Sequence, residues 1–304
     1  MRLLNARTIE VEEFVEGNIP AYSILSHTWE KEEVSFQDME RQAHSPKAGY
    51  QKLLASCAQS LRDGFDYIWI DTCGIDKTRS AELLEAINSM YRFYEQAAVC
   101  YAFLSDVPDD TGFDEESSFA KSRWFTRGWT LQELLAPSRI VFYSENWQPL
   151  GTKSDPRQVI SKISGIDESF LGIRPLSHAS IAARMSWAAR RQTTRAEDRA
   201  YSLLGVFGVN LPLLYGEGGS GAFLRLQEEL IRTSDDQSIF AWHRHGSHTR
   251  KQRNLFWLAQ SPSEFLACHD IAACHKMNLP SDFFKGKTEI RMELPIFHHV
   301  SCGL

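Results

Sequence analysis

The chain lacks any uninterrupted apolar run of the roughly 18 residues that a membrane-spanning helix requires. Its longest candidate, Leu203 to Tyr215, is broken by Asn210 and Pro212. The first residues, Met1-Arg2-Leu3-Leu4-Asn5-Ala6-Arg7, have neither an apolar core nor a small-residue cleavage site, so they do not read as a secretory leader. Positive charge is scarce. There are 33 Lys and Arg against 39 Asp and Glu, a net charge of −6. Phosphate backbones need a basic surface, so nucleic acid is not expected as a partner. Cysteine is sparse too. The six cysteines, at 57, 73, 100, 268, 274 and 302, are scattered and fit reduced thiols in a cytoplasmic protein better than a disulfide framework. No internal repeat is visible.

What remains is ordinary globular material: 43% hydrophobic and 24% charged residues, with 8 Trp and 18 Phe to fill a core. The length of 304 residues suits one large domain or two modest ones. The first half alternates strand and helix signals. Short β-rich runs at Ala21–Leu25, Tyr67–Ile70, Val99–Leu104 and Arg139–Tyr143 are separated by amphipathic helical spacings over Tyr50–Leu61 and Ala81–Tyr94 and a short helix at Thr130–Leu135. This order predicts an α/β fold: a doubly wound, mainly parallel sheet with helices on both faces. The second half reads as largely helical, over Ile181–Leu204 and Ala222–Arg232, with a Gly-rich turn between them. It ends in short strand candidates at Ser238–Trp242, Leu255–Ala259 and Glu289–Leu294. The boundary between an N-terminal part (1–150) and a C-terminal part (151–304) is placed in the polar stretch from Trp147 to Pro156.

Open parallel sheets bind ligands beyond the carboxyl ends of their strands. Here those ends carry Ser26-His27, Asp71-Thr72-Cys73 and Ser105-Asp106, and the next element brings Trp124, Arg127, Trp129 and Glu133. One rim therefore gathers a hydroxyl, an imidazole, carboxylates and indoles. Each residue also has a bland reading: Asp71 as a cap of the next turn, the tryptophans as core, and Glu133 as a first-turn glutamate on a solvated helix face.

Three other constellations compete. His27, Asp71 and Cys73 have the types of a thiolate nucleophile set but no recognisable elbow around the cysteine. His243, His245 and His248 with Cys268-His269 and Cys274-His275 offer zinc-ligand types at a spacing unlike common structural sites, so no metal is expected. The turn from Gly216 to Gly221 lacks the Lys-Ser/Thr of a phosphate-cradling loop. The arginines at 184, 190, 191, 195 and 199 read as a salt-bridged helix, or more sharply as a phosphate-facing group.

Longer blocks carry a family resemblance. They are Tyr22-Ser-Ile-Leu-Ser-His-Thr-Trp29 with Glu33-Val-Ser-Phe36, Tyr67-Ile-Trp-Ile-Asp-Thr-Cys73 with Ile75-Asp76-Lys77, Ala86-Ile-Asn-Ser-Met90, and Ser122-Arg-Trp-Phe-Thr-Arg-Gly-Trp-Thr-Leu-Gln-Glu-Leu134. Arg184-Met-Ser-Trp-Ala188, Thr194-Arg-Ala-Glu-Asp-Arg-Ala-Tyr201, Pro212-Leu-Leu-Tyr-Gly-Glu217 and Leu226-Gln-Glu-Glu229 continue them in order. Over about residues 1 to 242 the chain resembles fungal heterokaryon incompatibility (HET) domains. It departs from their pattern at Gly74, where a second Cys is usual, at Glu30, where Gly is usual, and in the widened turn after Glu217.

HET domains are in turn distantly similar to Toll/interleukin-1 receptor (TIR) domains. That resemblance matches Ser26 and Asp71 to the ends of the first two TIR strands. It places Ser122-x-Trp124 through Glu133-Leu134 on the TIR helix whose glutamate is catalytic in NAD-cleaving members, with Trp124 or Trp129 as the equivalent tryptophan. It implies a cytoplasmic effector of programmed cell death, activated by self-association or by an upstream receptor protein. Glu133 would cleave NAD+ as substrate, with no other cofactor, and Ser26, His27, Trp29, Asp71, Trp124, Arg127 and Trp129 would shape the substrate site. The alternative implied by the same resemblance is a non-enzymatic adaptor that signals through protein–protein assembly.

Overall fold

The continuous apolar runs of the first half become strands buried on both faces, as the interior of a parallel sheet requires. In the computed structural model, which describes residues 1–42, 47–172, 174–243 and 257–272 and the backbone of 283–285 and 290–292, they form the centre of a seven-stranded mixed sheet. The strands are β1 (Arg2–Asn5), β2 (Glu10–Glu13), β3 (Tyr22–His27), β4 (Tyr67–Trp69), β5 (Val99–Phe103), β6 (Ile140–Tyr143) and β7 (Pro149–Thr152), in the order β2-β1-β4-β3-β5-β6-β7. The pairs β3–β4, β3–β5 and β5–β6 are parallel; β1, β2 and β7 join antiparallel at the edges.

The helices of this half are α1 (Phe36–Glu40), α2 (Ala48–Arg62), α3 (Asp71–Gly74), α4 (Ser80–Gln96) and α5 (Thr130–Leu135). Side chains alternate along each strand, so two cores form. Leu25, Ile68, Tyr101 and Tyr143 point to the face covered by α2 through Leu53 and Cys57. Ile24, Trp69, Ala102 and Phe142 point to the face covered by α4 through Ile87, Met90 and Tyr94. The sheet is therefore doubly wound. From β3 the chain steps to β4 on one side, then crosses by α4 to β5 on the other. The carboxyl ends of β3 and β5 consequently flank a topological switch point.

The C-terminal part adds α6 (Arg157–Ser164), α7 (Ile181–Ala188), α8 (Asp198–Tyr201), α9 (Leu204–Phe207) and α10 (Gly219–Thr233), then a separate hairpin of β8 (Phe283–Lys285) and β9 (Ile290–Met292). One buried cluster joins Trp124 and Phe142 of the first part to Met185, Tyr201 and Leu226 of the second. Close approach makes this possible. At Gly205, at the start of α9, an added Cβ would collide with the Tyr91 Cβ of α4. Asn88 clamps the same region by accepting from the Leu211 amide at 3.1 Å and donating to its carbonyl at 3.2 Å.

Several expectations are corrected. The edge strands β1, β2 and β7 lack the apolar runs of the central strands and read as loops; β2 is Glu-Val-Glu-Glu, half-exposed in the manner of a protected sheet edge. The helix expected over Ile181–Leu204 is interrupted from 189 to 197, because this segment pairs with 126–128 through Gln192 N to Thr126 O and Gly128 N to Gln192 O. A Cβ at Gly128 would strike the Thr193 side chain, so only glycine allows this approach. Ser238–Trp242 is not a strand but begins in a short 3-10 turn, Gln237–Phe240, whose Ser238 amide donates to Asp236. Residues 257–259 form no strand, and the rest of Leu255–Ala259 lies outside the described residues. The candidate at Glu289–Leu294 is realised as β9. Among the described residues no helix is long and apolar enough to cross a membrane.

Candidate functional site

The switch point carries a buried carboxyl. Every residue of α5 is buried: Leu131 and Leu134 enter the sheet-side core, α4 and α9 pack against the helix, and Arg191 from the 189–197 segment reaches Thr130 at its start. The solvated-face reading of Glu133 is thereby overturned. Glu133, 7% exposed, turns toward the end of β3, where Ser26 Oγ donates to its Oε2 at 2.5 Å. The Trp124 indole N–H donates in turn to Ser26 Oγ at 2.7 Å. The serine hydroxyl thus accepts from the indole and donates to the carboxyl, which fixes both. Tyr94 of α4 donates to the Leu25 carbonyl at 3.1 Å and its hydroxyl also faces Glu133. Burial pushes the Glu133 carboxyl up to about 8, reinforced by the Asp71 charge and opposed by the Ser26 hydrogen bond and the Arg127 charge.

In front of Glu133 opens a cavity of about 380 Å³, lined by apolar residues of α4 such as Leu83, Ile87 and Met90 and by polar groups from both parts of the chain. Its size is within the range of small-molecule sites. A wider cleft of about 610 Å³ lies at the opposite end of β3, against Glu13, Tyr22 and Arg92, without a comparable buried carboxyl.

The expected residues divide into two groups. His27, Trp29, Asp71, Arg127, Trp129 and Glu133 line the cavity together. Ser26 and Trp124 are fully buried behind Glu133 and have no surface toward it. Trp129, not Trp124, is therefore the indole available to a ligand. Ser105 and Asp106 are drawn elsewhere: Ser105 donates to Glu30 at 3.1 Å, and Asp106 accepts from Ser122 Oγ at 2.7 Å and the Arg123 amide at 2.8 Å.

His27 is an orphan. Neither ring nitrogen has a hydrogen-bond partner among the described residues, although Nε2 lies 3.8 Å from Asp71 and 4.0 Å from Glu33. Burial, with Lys52, Lys77 and Arg127 nearby, holds its pKa well below the ordinary histidine value, so the ring is neutral. An unsatisfied imidazole at a cavity wall is a group awaiting a partner.

Two of the competing constellations do not assemble, and the third lies mostly outside the described residues. The Cys73 thiol is buried in the α2-side core, donates weakly to the Ile70 carbonyl at 3.7 Å, and is pushed up by burial, the opposite of an activated nucleophile. His245, His248, Cys274 and His275 lie outside the described residues, and among those described no metal-ligating cluster exists. The amides of Gly216 and Gly218 are not open to phosphate, since both donate to Glu197 Oε1 at 2.9 and 3.1 Å. Gly219 to Gly221 already belong to α10.

Sequence reasoning missed Lys77, Tyr94, Asp198 and Tyr215 as lining residues; of the arginines it singled out, Arg195 lines the cavity and Arg191 braces the start of α5 from behind. The Arg191 guanidinium is buried against α5, donating to the Arg127 carbonyl at 2.8 Å and Thr130 Oγ1 at 3.0 Å. Burial lowers its pKa to about 10 while Glu133 pulls it up. The Ile75-Asp76-Lys77, Thr194–Tyr201 and Pro212–Glu217 blocks carry the family resemblance, but only the fold brings them to the same opening.

A buried carboxyl at the switch point of a doubly wound sheet, facing a cavity of ligand size, defines an α/β protein with its pocket at the strand carboxyl ends. Residues 22–118 match the family model "Heterokaryon incompatibility protein (HET)", and residues 221–283 match "Domain of unknown function (DUF8212)". The chain is 47% identical over 221 residues to the vegetative incompatibility protein HET-E-1 of Podospora anserina, an alignment covering 70% of this chain and 16% of that protein. The chain belongs to the heterokaryon incompatibility family. It spans only a small part of that relative's length. No solved structure matches it.

Proposed function

We propose that this chain is an incompatibility effector that triggers programmed cell death by cleaving NAD+, as the resemblance of HET to TIR domains implies, with Glu133 as the catalytic residue. The observation that carries the proposal is the placement of Glu133: buried, held by Ser26 and facing the cavity at the switch point. The relative's name as a vegetative incompatibility protein supports the cellular role.

The chemistry suits one carboxylate. Nicotinamide leaves as a neutral base when the electron pair of its bond to ribose C1′ moves onto the ring nitrogen, so no general acid is needed. The sugar becomes oxocarbenium-like, and an ionised Glu133 stabilises that charge across a water-poor gap. Water then bonds to C1′, and its proton passes to Glu133. Burial makes this carboxylate a stronger base than an exposed one. Trp129 offers a face to a ring of the substrate. Ser26 steadies the ionised form. The products are nicotinamide and ADP-ribose. Activity gated by self-association keeps such an enzyme from killing its host.

The test is nicotinamide release by the concentrated protein, beside a Glu133→Gln variant shown to be folded. The expected outcome is release by the parent protein and a loss of about 10²–10³ in rate in the variant. No release at any concentration, even under forced oligomerisation, would leave the adaptor role as the better reading. Because the reacting form is ionised, kcat/KM is expected to rise with pH through about 8.

A further inference from the structure

The mouth of the cavity is built from two similar assemblies, one from each part of the chain. In the first, Lys77 Nζ stands 3.6 Å from the centre of the Trp29 ring, and the Trp29 indole N–H donates to Asp71 Oδ2 at 3.0 Å. In the second, the Arg195 guanidinium carbon stands 4.3 Å from the centre of the Tyr215 ring, and the Tyr215 hydroxyl donates to Asp198 Oδ1 at 2.9 Å. Trp129 Nε1 donates to the other oxygen of Asp198 at 3.2 Å.

Each carboxylate thus spends a hydrogen bond on a neutral donor, while each cation rests on the face of an aromatic ring. Among the described residues neither Lys77 nor Arg195 has a carboxylate within 4.0 Å, and neither donates a hydrogen bond, although both are exposed. An exposed cation over a ring keeps its charge and its donors free for a ligand. Lys77 is exposed overall, yet desolvation of its ammonium lowers its pKa most; the Asp71, Cys73 and Glu33 charges oppose that, and the Arg195 charge adds a smaller push downward. An anion bridging the two cations would offset the repulsion between them.

The cavity behind them, about 380 Å³, has room for one end of a large ligand, with the remainder passing out through the mouth. We propose that Lys77 and Arg195 clamp a diphosphate at this mouth, so that the site takes molecules with a sugar on the Glu133 side of a diphosphate bridge and rejects nucleosides that lack it. The identity of the sugar end rests on the NAD+ reading; the clamp does not. Lys77 and Arg195 here select the ligand and take no part in bond breaking.

The experiment is calorimetric titration of the whole chain with inorganic pyrophosphate at moderate salt, with inorganic phosphate as comparison. Pyrophosphate is expected to bind about ten-fold tighter than phosphate, and to weaken as salt rises. Lys77→Gln and Arg195→Gln are each expected to weaken it at least about ten-fold, and Lys77→Arg and Arg195→Lys to retain it, because both side chains are exposed and their loss leaves the core intact. Glu133→Gln is expected to bind pyrophosphate as the parent does. No pyrophosphate binding by folded parent protein, or binding that both Gln variants retain, overturns the clamp. Glu133-dependent NAD+ cleavage without pyrophosphate binding would leave the proposed function standing alone, and pyrophosphate binding without NAD+ cleavage would leave the clamp standing alone.

Discussion

The floor and the mouth of the cavity solve opposite electrostatic problems. At the floor, Glu133 is buried but faces the cavity, and uncharged neighbours, the Ser26 hydroxyl backed by the Trp124 indole, fix its position. At the mouth, Lys77 and Arg195 are exposed and lean on ring faces while neutral donors occupy the carboxylates below them. The floor raises a carboxyl's proton affinity; the mouth leaves positive charge available. On the proposed reading, ionisable groups serve different ends according to depth: a buried acid becomes a base tuned near neutral pH, and exposed cations beside the same cavity become selectors.

The strongest way to break this contrast is to remove the buried charge. The Glu133 carboxyl rises from 4.5 to about 8 in the folded chain. A group whose folded pKa is raised favours the native state fully below its unfolded value, and that contribution is lost as pH climbs through the folded value. Ionised Glu133 is therefore a burden on the fold at alkaline pH, on the order of a few kcal/mol. Glu133→Gln, neutral at every pH and nearly the same shape, is expected to melt higher than the parent at pH 9 and at nearly the same temperature at pH 5, while losing activity. Parallel melting curves across that range would show that the carboxyl is not strained by its burial.

A smaller effect is expected from Ser26→Ala. It strands the buried Trp124 N–H, which costs about 1–3 kcal/mol. It also removes a hydrogen bond that lowers the Glu133 pKa. The rise of kcat/KM with pH is then expected to move to higher pH, with plateau activity reduced less than in Glu133→Gln. An unchanged pH profile with only a lower melting temperature would reduce Ser26 to a packing role.

How much of this was legible follows the same division. Ser26 and Asp71 lie at the ends of strands whose apolar runs mark them plainly, so one side of the rim was readable from residue order and the doubly wound rule, whereas Glu133 stood out only through the resemblance to TIR domains. Burial depth was not readable. Nothing in Thr130–Leu135 distinguishes a solvated helix from one sealed beneath a later segment, and the seal depends on Gly128 and Arg191, residues remote in sequence from each other. Trp124 and Trp129 have equal claims on paper; only the fold sends one indole into the core and the other to the cavity. The second assembly at the mouth comes from 194–198 and Tyr215, in stretches expected to be a continuous helix and a glycine turn. Periodicity reports what one element does alone and says little of where two elements meet.

The smallest expected effect separates two chemistries. Cys73 follows Asp71 closely and shares the end of β4, yet its side chain enters the core beneath α2, away from the cavity. A thiol there behaves as a small apolar group. Cys73→Ala is expected to lower stability by about 1 kcal/mol through the lost packing, and to leave nicotinamide release within about two-fold of the parent. A melting experiment and a rate measured on the same preparation check it. Full loss of activity in a folded Cys73→Ala protein, with Glu133→Gln still active, would reverse the assignment and make the thiol, despite its raised pKa, the reacting group. The raised pKa argues the other way, because a thiolate needs the positive surroundings that the mouth possesses and the core beneath α2 does not.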